Sequence, residues 1–550
     1  MLEEWVTMSL SKFFSWTVAV FIMTCLFLPI TVHAGNNPNN AEAYKDRGFF
    51  NYNRGQYEQA IRDFDKAIQL NSNFAEAYYY RGVVYNALEQ YVKAISDFDK
   101  AIKISPNAAV AYHCRGTAYY ELGQKEQALR DFNTAIQLNP NFDLAYGSRG
   151  MVYDELGQYE RAVQEYDKAI QLNPSFVEAY INRGKVYNDL RQYERAIQDC
   201  NKAIEINPNY AETYYNRGMA YKYLQQNERA IQDFNKAIQL NPNYIDAYGM
   251  RGIAHYALKR YEQAIQDCNK AIQLNPNDDR VYQLRGLSYR DLEQYELAVK
   301  DFDKAIQLNP SESDHYYYRA LSYCNLEKYE QAVQDFNRAI KFNPDYVDAY
   351  NDRGSAYYNL QQYEQAIQDY DKTIELNPNF AWAYCNRGLV YNQLGQYELA
   401  IQNYNKAIEI NPDFAEAYNS RGNVYLNLQQ NERAIQDYDK AIKINPNYAE
   451  AYNGRGWAYY LDKNYKQALN DSNKALQLNP NFAECYDTRG CVYLAMENYN
   501  KALTDFNKAL KINPNLGVTY YNRGTCYQAL GDNKKAQADF KKAKALGYKE

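Results

Sequence analysis

Beyond position 40 the side chains most able to act as nucleophiles or metal ligands are eight cysteines and three histidines. Cys114, Cys200, Cys268, Cys324, Cys385, Cys485, Cys491 and Cys526 include no CxxC pair, the spacing that redox and zinc sites use to bring two sulfurs together. His113, His255 and His315 lack a second ligand at helical spacing, so no metal site and no cofactor is expected. GxSxG, Walker, HExxH and paired-carboxylate patterns are missing as well. The sequence therefore predicts a protein that is not an enzyme. Formal net charge is −6, with 46% hydrophobic and 23% charged residues. That balance fits a folded chain and excludes a broad polyanion-binding surface, so no nucleic-acid partner is expected.

Residues 1–40 stand apart from the rest. Phe13 to Leu28 is a charge-free run preceded by Lys12 and followed by Pro29. Val32-His33-Ala34 then places small residues at −3 and −1 of a signal-peptidase site, ahead of the polar linker 35–40. Glu3 and Glu4 depart from the basic start of such signals, whereas a start at Met8 would restore it. A signal peptide over 1–34 and export are the expectation. Phe13 to Val32 is also long enough to span a bilayer, so a retained anchor over residues 13–32 is the alternative.

The remaining 510 residues divide into fifteen blocks of 34. Slots are counted from Ala41. Slot 4 is Tyr, slot 7 Arg and slot 20 Ala in all fifteen copies, and slot 8 is Gly in all but the ninth, which has Ala320. Apolar or small residues at slots 3, 4, 8, 10, 11 and 14, and again at 17, 20, 21, 24, 27 and 28, follow amphipathic-helix spacing. Polar pairs such as Gly123-Gln124 make the turn between the helices, and Asn-Pro at slots 31–32 ends the second one. Each block is a helical hairpin that cannot bury its apolar face alone, so the copies must stack. Thirty-nine of the sixty tyrosines fall at slots 4, 11 and 17, where packing accounts for them. The cysteines read as small apolar substitutes; if export oxidises any, Cys491 with Cys526 is the nearest plausible pair.

In the second copy the conserved slots hold Tyr78, Gly82, Tyr85, Ala94, Phe98 and Pro106. This pattern resembles the tetratricopeptide repeat, and the resemblance covers residues 41–550. It implies an all-α fold, a right-handed α-solenoid superhelix of stacked antiparallel hairpins. Two departures are systematic: Tyr replaces Trp at slot 4, and Arg replaces Leu at slot 7. An inward arginine needs a partner. Slot 23 is acidic in fourteen copies, which predicts a repeated contact such as Arg217 with Asp233 of its own copy or Asp199 of the preceding one. Polar Asn51 and Arg54 in the first copy, and Gln537 and Lys544 in the last, predict solvated ends.

The resemblance also implies a concave groove lined by first helices, with slots 2, 5, 6, 9, 12 and 13 facing it. These slots vary between copies. Slot 2 is acidic in ten copies, including Glu42, Glu76, Glu178 and Glu416; this suits basic partner segments and also complements the helix dipole. Met250, Ile253, Leu284 and Leu287, then Tyr317, Tyr318 and Leu321, place apolar side chains on groove slots of successive copies. Trp382 and Leu389 resume the stretch, and Trp457 occupies a further groove slot. These ten residues are the candidate partner-binding set. A carboxylate clamp known in some relatives is not assembled, because Lys45 is followed by Phe49; Asn182, Asn216, Asn386 and Asn522 give only part of an asparagine ladder.

The expected function is a non-catalytic scaffold binding protein or peptide segments in the groove, outside the cytoplasm. Self-association and recruitment within an envelope complex are the alternatives. Membrane contact is expected only through an uncleaved N-terminal segment.

Overall fold

The computed structural model describes residues 40–548. The leader, its cleavage site and the anchor alternative lie outside the described residues, as does Cys25. Thirty helices and no strand occur among the described residues, from Ala41–Asn53 to Asn533–Ala545. They alternate between first helices of 13 residues and second helices of 14, the last second helix having 13. This is the all-α solenoid architecture, in two compact units divided between Pro276 and Asn277.

The hairpin closes in the same way in every copy. The first helix ends at slot 13, and slot 15 adopts positive φ in all fifteen copies, with glycine in five and residues such as Glu89 and Lys259 in ten. In the second copy the amide of Gln90 bonds the carbonyl of Tyr85 and that of Glu89 the carbonyl of Asn86. These are the paired bonds that satisfy free carbonyls at a helix end. At slots 31–33 the asparagine side chain accepts the amide two residues on, as in Asn139, which precedes Pro140, with Asn141 at 3.1 Å. Asparagine before proline is thus a built turn.

Between the helices lies the core of each hairpin. Slot 20 alanines are buried throughout, and the slot 24 ring of Phe64, Phe98, Tyr370 or Tyr404 is fully enclosed. A Cβ added to the slot 8 glycine would come within 2.5–2.9 Å of that ring in eleven copies. Close helix contact favours glycine there, although the ninth copy accommodates Ala320 against Phe336. Gly184 is looser because Cys200 replaces the ring, and its added Cβ would lie 3.2 Å from the sulfur. All eight cysteines among the described residues are free thiols, including Cys491 and Cys526, which share one apolar cluster.

The slot 7 arginine reaches slot 23 of its own copy in all fifteen. Arg217 donates from Nε to Asp233 Oδ2 at 2.8 Å and from Nη2 to Oδ1 at 2.6 Å. Its third arm, Nη1, donates to Asn201 at slot 25 of the preceding copy at 2.6 Å. Twelve further copies repeat this link to an Asp or Asn at slot 25. Beneath the guanidinium lies the slot 4 ring of the same copy, at 5.0–5.8 Å in all fifteen. Tyrosine at slot 4 and arginine at slot 7 therefore form one device, a cation on an aromatic face held by three hydrogen bonds.

Two stability predictions follow from this packing. Gly490→Ala, whose Cβ would sit 2.5 Å from Phe506, is expected to cost about 1–3 kcal/mol in urea unfolding, whereas Gly184→Ala should be nearly neutral. Arg353→Ala strands Asp369, only 5% exposed, and is expected to cost about 3–5 kcal/mol; a loss under 1 kcal/mol would mean the contact is merely solvated.

Candidate partner-binding surface

Within each unit, neighbouring first helices pack at an offset of 35 residues, slot 5 against slot 6 and slot 12 against slot 13. His113 meets Ser148 at 3.0 Å, Tyr79 meets Cys114 at 3.7 Å, and Tyr317 donates to Asp352 at 2.8 Å. Asn386 donates to Asn351 at 3.2 Å, and Asn522 to Asp487 at the same distance. Slots 5 and 6 therefore form the seam between neighbours as well as the face they present.

The structure encloses part of the apolar set expected from the sequence. Met250, Ile253, Leu284 and Leu287 are buried, between 1% and 8% exposed. Their side chains are enclosed and offer little open surface. Tyr317, Tyr318, Leu321, Leu389 and Trp457 are partly buried. Trp382 is 51% exposed and lies edge-on to Phe414 at 4.5 Å. Tyr317 packs against Tyr318 at 5.2 Å and Tyr346 at 4.8 Å. Tyr346 donates to Asp314 at 2.8 Å, and the Arg290 guanidinium lies 5.3 Å from the Tyr318 ring. Trp457 stacks on Tyr460 at 4.9 Å.

Charge is the stronger feature, and in copies three to six it lies on the same helix face. Slot 13 is Glu121, Glu155 and Asp189 in three successive copies, a signal present in the sequence that the slot 2 count passed over. Lys125 pairs with Glu155 at 2.9 Å and Lys185 with Asp154 at 2.8 Å, while Tyr120 donates to Glu155. Glu121 is left without such a partner and one of its carboxylate oxygens is buried unpaired. Burial, with repulsion from Glu155 and Glu89, pushes its carboxyl up to about 7. Burial pushes Asp189 up to about 6 against the attraction of Lys185, with Asp154 adding to the rise. Glu212 is raised by burial too, and Lys222 is lowered by it. His113, enclosed beside Phe132 and Phe142, is pushed down to about 4 and stays neutral. At slot 2, Glu76 meets Lys45 at 3.3 Å and Glu178 accepts from Tyr210 at 2.8 Å, so part of that acidity is used within the stack. No group of three or more potential metal ligands forms among the described residues.

Comparison with known proteins fits this geometry. Sequence profiles of the tetratricopeptide repeat match at 75–142, 177–278, 280–312, 449–482 and 484–516, with related profiles of the same repeat over 51–88, 150–190 and 320–463. A third profile matches 132–164, 302–334 and 506–538. The chain belongs to the tetratricopeptide repeat family. Among solved structures it is similar to the APC/C hetero-tetramer Cut9-Hcn1, with 16% identity, a TM-score of 0.40, and 93% of this chain and 99% of that chain covered. Yeast Tom70 gives 18% identity and a TM-score of 0.40, covering 79% of this chain and 96% of that one. MamA gives 30% identity over 29% of this chain and 94% of its own, with a TM-score of 0.28. No curated protein matches the chain.

The raised carboxyls set a pH dependence. Glu121 holds a proton in the folded chain that the unfolded chain releases near 4.5, so its contribution is present at low pH and lost as pH rises toward 7. The midpoint of urea unfolding is expected to fall between pH 5 and pH 8, and Glu121→Gln is expected to flatten that fall. An unchanged slope in the variant would contradict the assignment.

Proposed function

We propose that this array is a non-catalytic scaffold that holds a basic segment of a partner protein against its first helices, outside the cytoplasm. The observation that carries the reading is the pair of raised carboxyls, Glu121 and Asp189, on a helix face whose other slots vary from copy to copy. Carboxylates buried short of cations are the groups a lysine or arginine side chain relieves on arrival. The exposed indole of Trp382 in the second unit offers aromatic area of the kind that anchors partners. Location outside the cytoplasm rests on the signal-like residues 1–34; no helix of the described residues is long and apolar enough to cross a membrane.

Photo-crosslinkers placed at Glu121 and Trp382 in the native cell are expected to capture a partner with a basic stretch. The pair Glu121→Gln and Asp189→Asn should then weaken that complex about tenfold, roughly 1.4 kcal/mol, with the helical circular dichroism unchanged. Undiminished affinity in the double variant would end the proposal that a basic segment binds here.

A further inference from the structure

The repeated arginine contacts also show what the first copy lacks. Within each unit, in copies with a neighbour before them, the face built from slots 3, 7 and 10 of the first helix is covered by the second helix of that neighbour. Val84 at slot 10 packs with Ala60 and Phe64, and Val152 with Ala128 and Phe132. Slot 10 residues such as Val186, Ala220, Val390 and Val424 are fully buried. The slot 7 arginine side chain is 15–20% exposed wherever its third arm meets slot 25, as in Arg81, Arg183 and Arg217.

The first copy departs from all of this. Arg47 keeps Asp63, but its side chain is 61% exposed and Nη1 has no partner among the described residues. Phe50 at slot 10 is 48% exposed, with the Arg54 guanidinium at 5.4 Å over its ring, and Ala43 at slot 3 is exposed. The polar residues expected to solvate this end do so only in part. Asn51 turns inward to donate to Asp63 at 2.9 Å, leaving a phenylalanine and a half-satisfied guanidinium facing out. At the other end Gln537 and Lys544 are exposed, as a solvated second helix requires.

We propose that this face of the first copy, Ala43, Arg47, Phe50 and Arg54, docks a helix of a different protein that carries a small side chain followed at once by a carboxylate. Thirteen internal interfaces show the chemistry of the occupant: an acid or amide for the third arm of the arginine, one position after the side chain that covers slot 10. Phe50 is larger than the Val, Ala, Ser or Cys found at that slot elsewhere, so the occupant must be small where twelve of the fifteen copies carry Phe or Tyr. A second copy of the chain does not fit. Its last helix has Lys541 at slot 25 and Phe540 at slot 24, a cation against Arg47 and a ring against Phe50. Two first copies face to face would oppose Arg47 and Arg54 to themselves. The surface is separate from the acidic face assigned above and favours an acidic helix rather than a basic segment.

The probe is a labelled peptide copying Tyr57–Leu70, a 14-residue helix, with Phe64→Ala and a side-chain crosslink between positions 58 and 62 to hold it helical. Titrated against the full chain by fluorescence anisotropy, it is expected to bind. Asp65→Lys in the peptide, or Phe50→Glu or Arg47→Glu in the protein, should each weaken binding about tenfold or more, while Trp382→Ala and the double variant of Glu121 and Asp189 leave it unchanged. Circular dichroism checks that the protein variants stay folded, and Asp65→Lys needs no change in the protein at all. Any of four results overturns the proposal: no binding, equal binding of the lysine peptide, loss of binding in the Glu121 and Asp189 variant, or binding only once residues 1–34 are removed.

Discussion

Everything in the two stacks hangs on where one guanidinium goes. The slot 7 arginine sits on the ring three residues before it, grips the acid sixteen residues after it, and reaches back sixteen residues to the copy before. Arginine alone has the geometry for this, since its planar fork gives two parallel bonds to a carboxylate and leaves a third direction free. Leaving such a cation half-buried without partners would be costly, so the three contacts fix the angle within a hairpin and the register between hairpins together. Glycine at slot 8 and the enclosed ring at slot 24 set how closely the helices approach; the arginine decides their alignment.

The constant slots were legible because fifteen copies act as their own comparison. Slot 7 is always Arg and slot 23 is acidic in all but one copy, so a contact between them followed, and the structure resolves it to the same copy. The third arm was hidden because slot 25 is Asp in some copies and Asn in others: either can accept a hydrogen bond, and a reading by charge sees only half of them. Asn403 in the eleventh copy shows the same tolerance, accepting from Arg387 at 2.8 Å as an amide.

The apolar surface was less legible for a related reason. A slot that faces the inner side of one helix can also face the next helix, and which role wins depends on side-chain reach. Leu284 and Leu287 are short enough to be enclosed, whereas Trp382 stays half outside. Polar seams behave likewise. Tyr317, Asp352, Asn351 and Asn386 form a connected chain of hydrogen bonds, so the same residue types that could greet a ligand are committed to each other. Slot periodicity alone does not separate these fates.

The equal reach of the arginine, sixteen positions forward and sixteen back, has a consequence for how such a chain can change over generations. Inserting or deleting a single residue inside a helix would shift one of the two contacts out of register. Duplicating or excising a whole block of 34 leaves each surviving arginine with an acid ahead of it and an acceptor behind it. Gene length is therefore free to vary in steps of one repeat and nearly frozen at any finer step, and unequal recombination between near-identical blocks becomes a tolerated event.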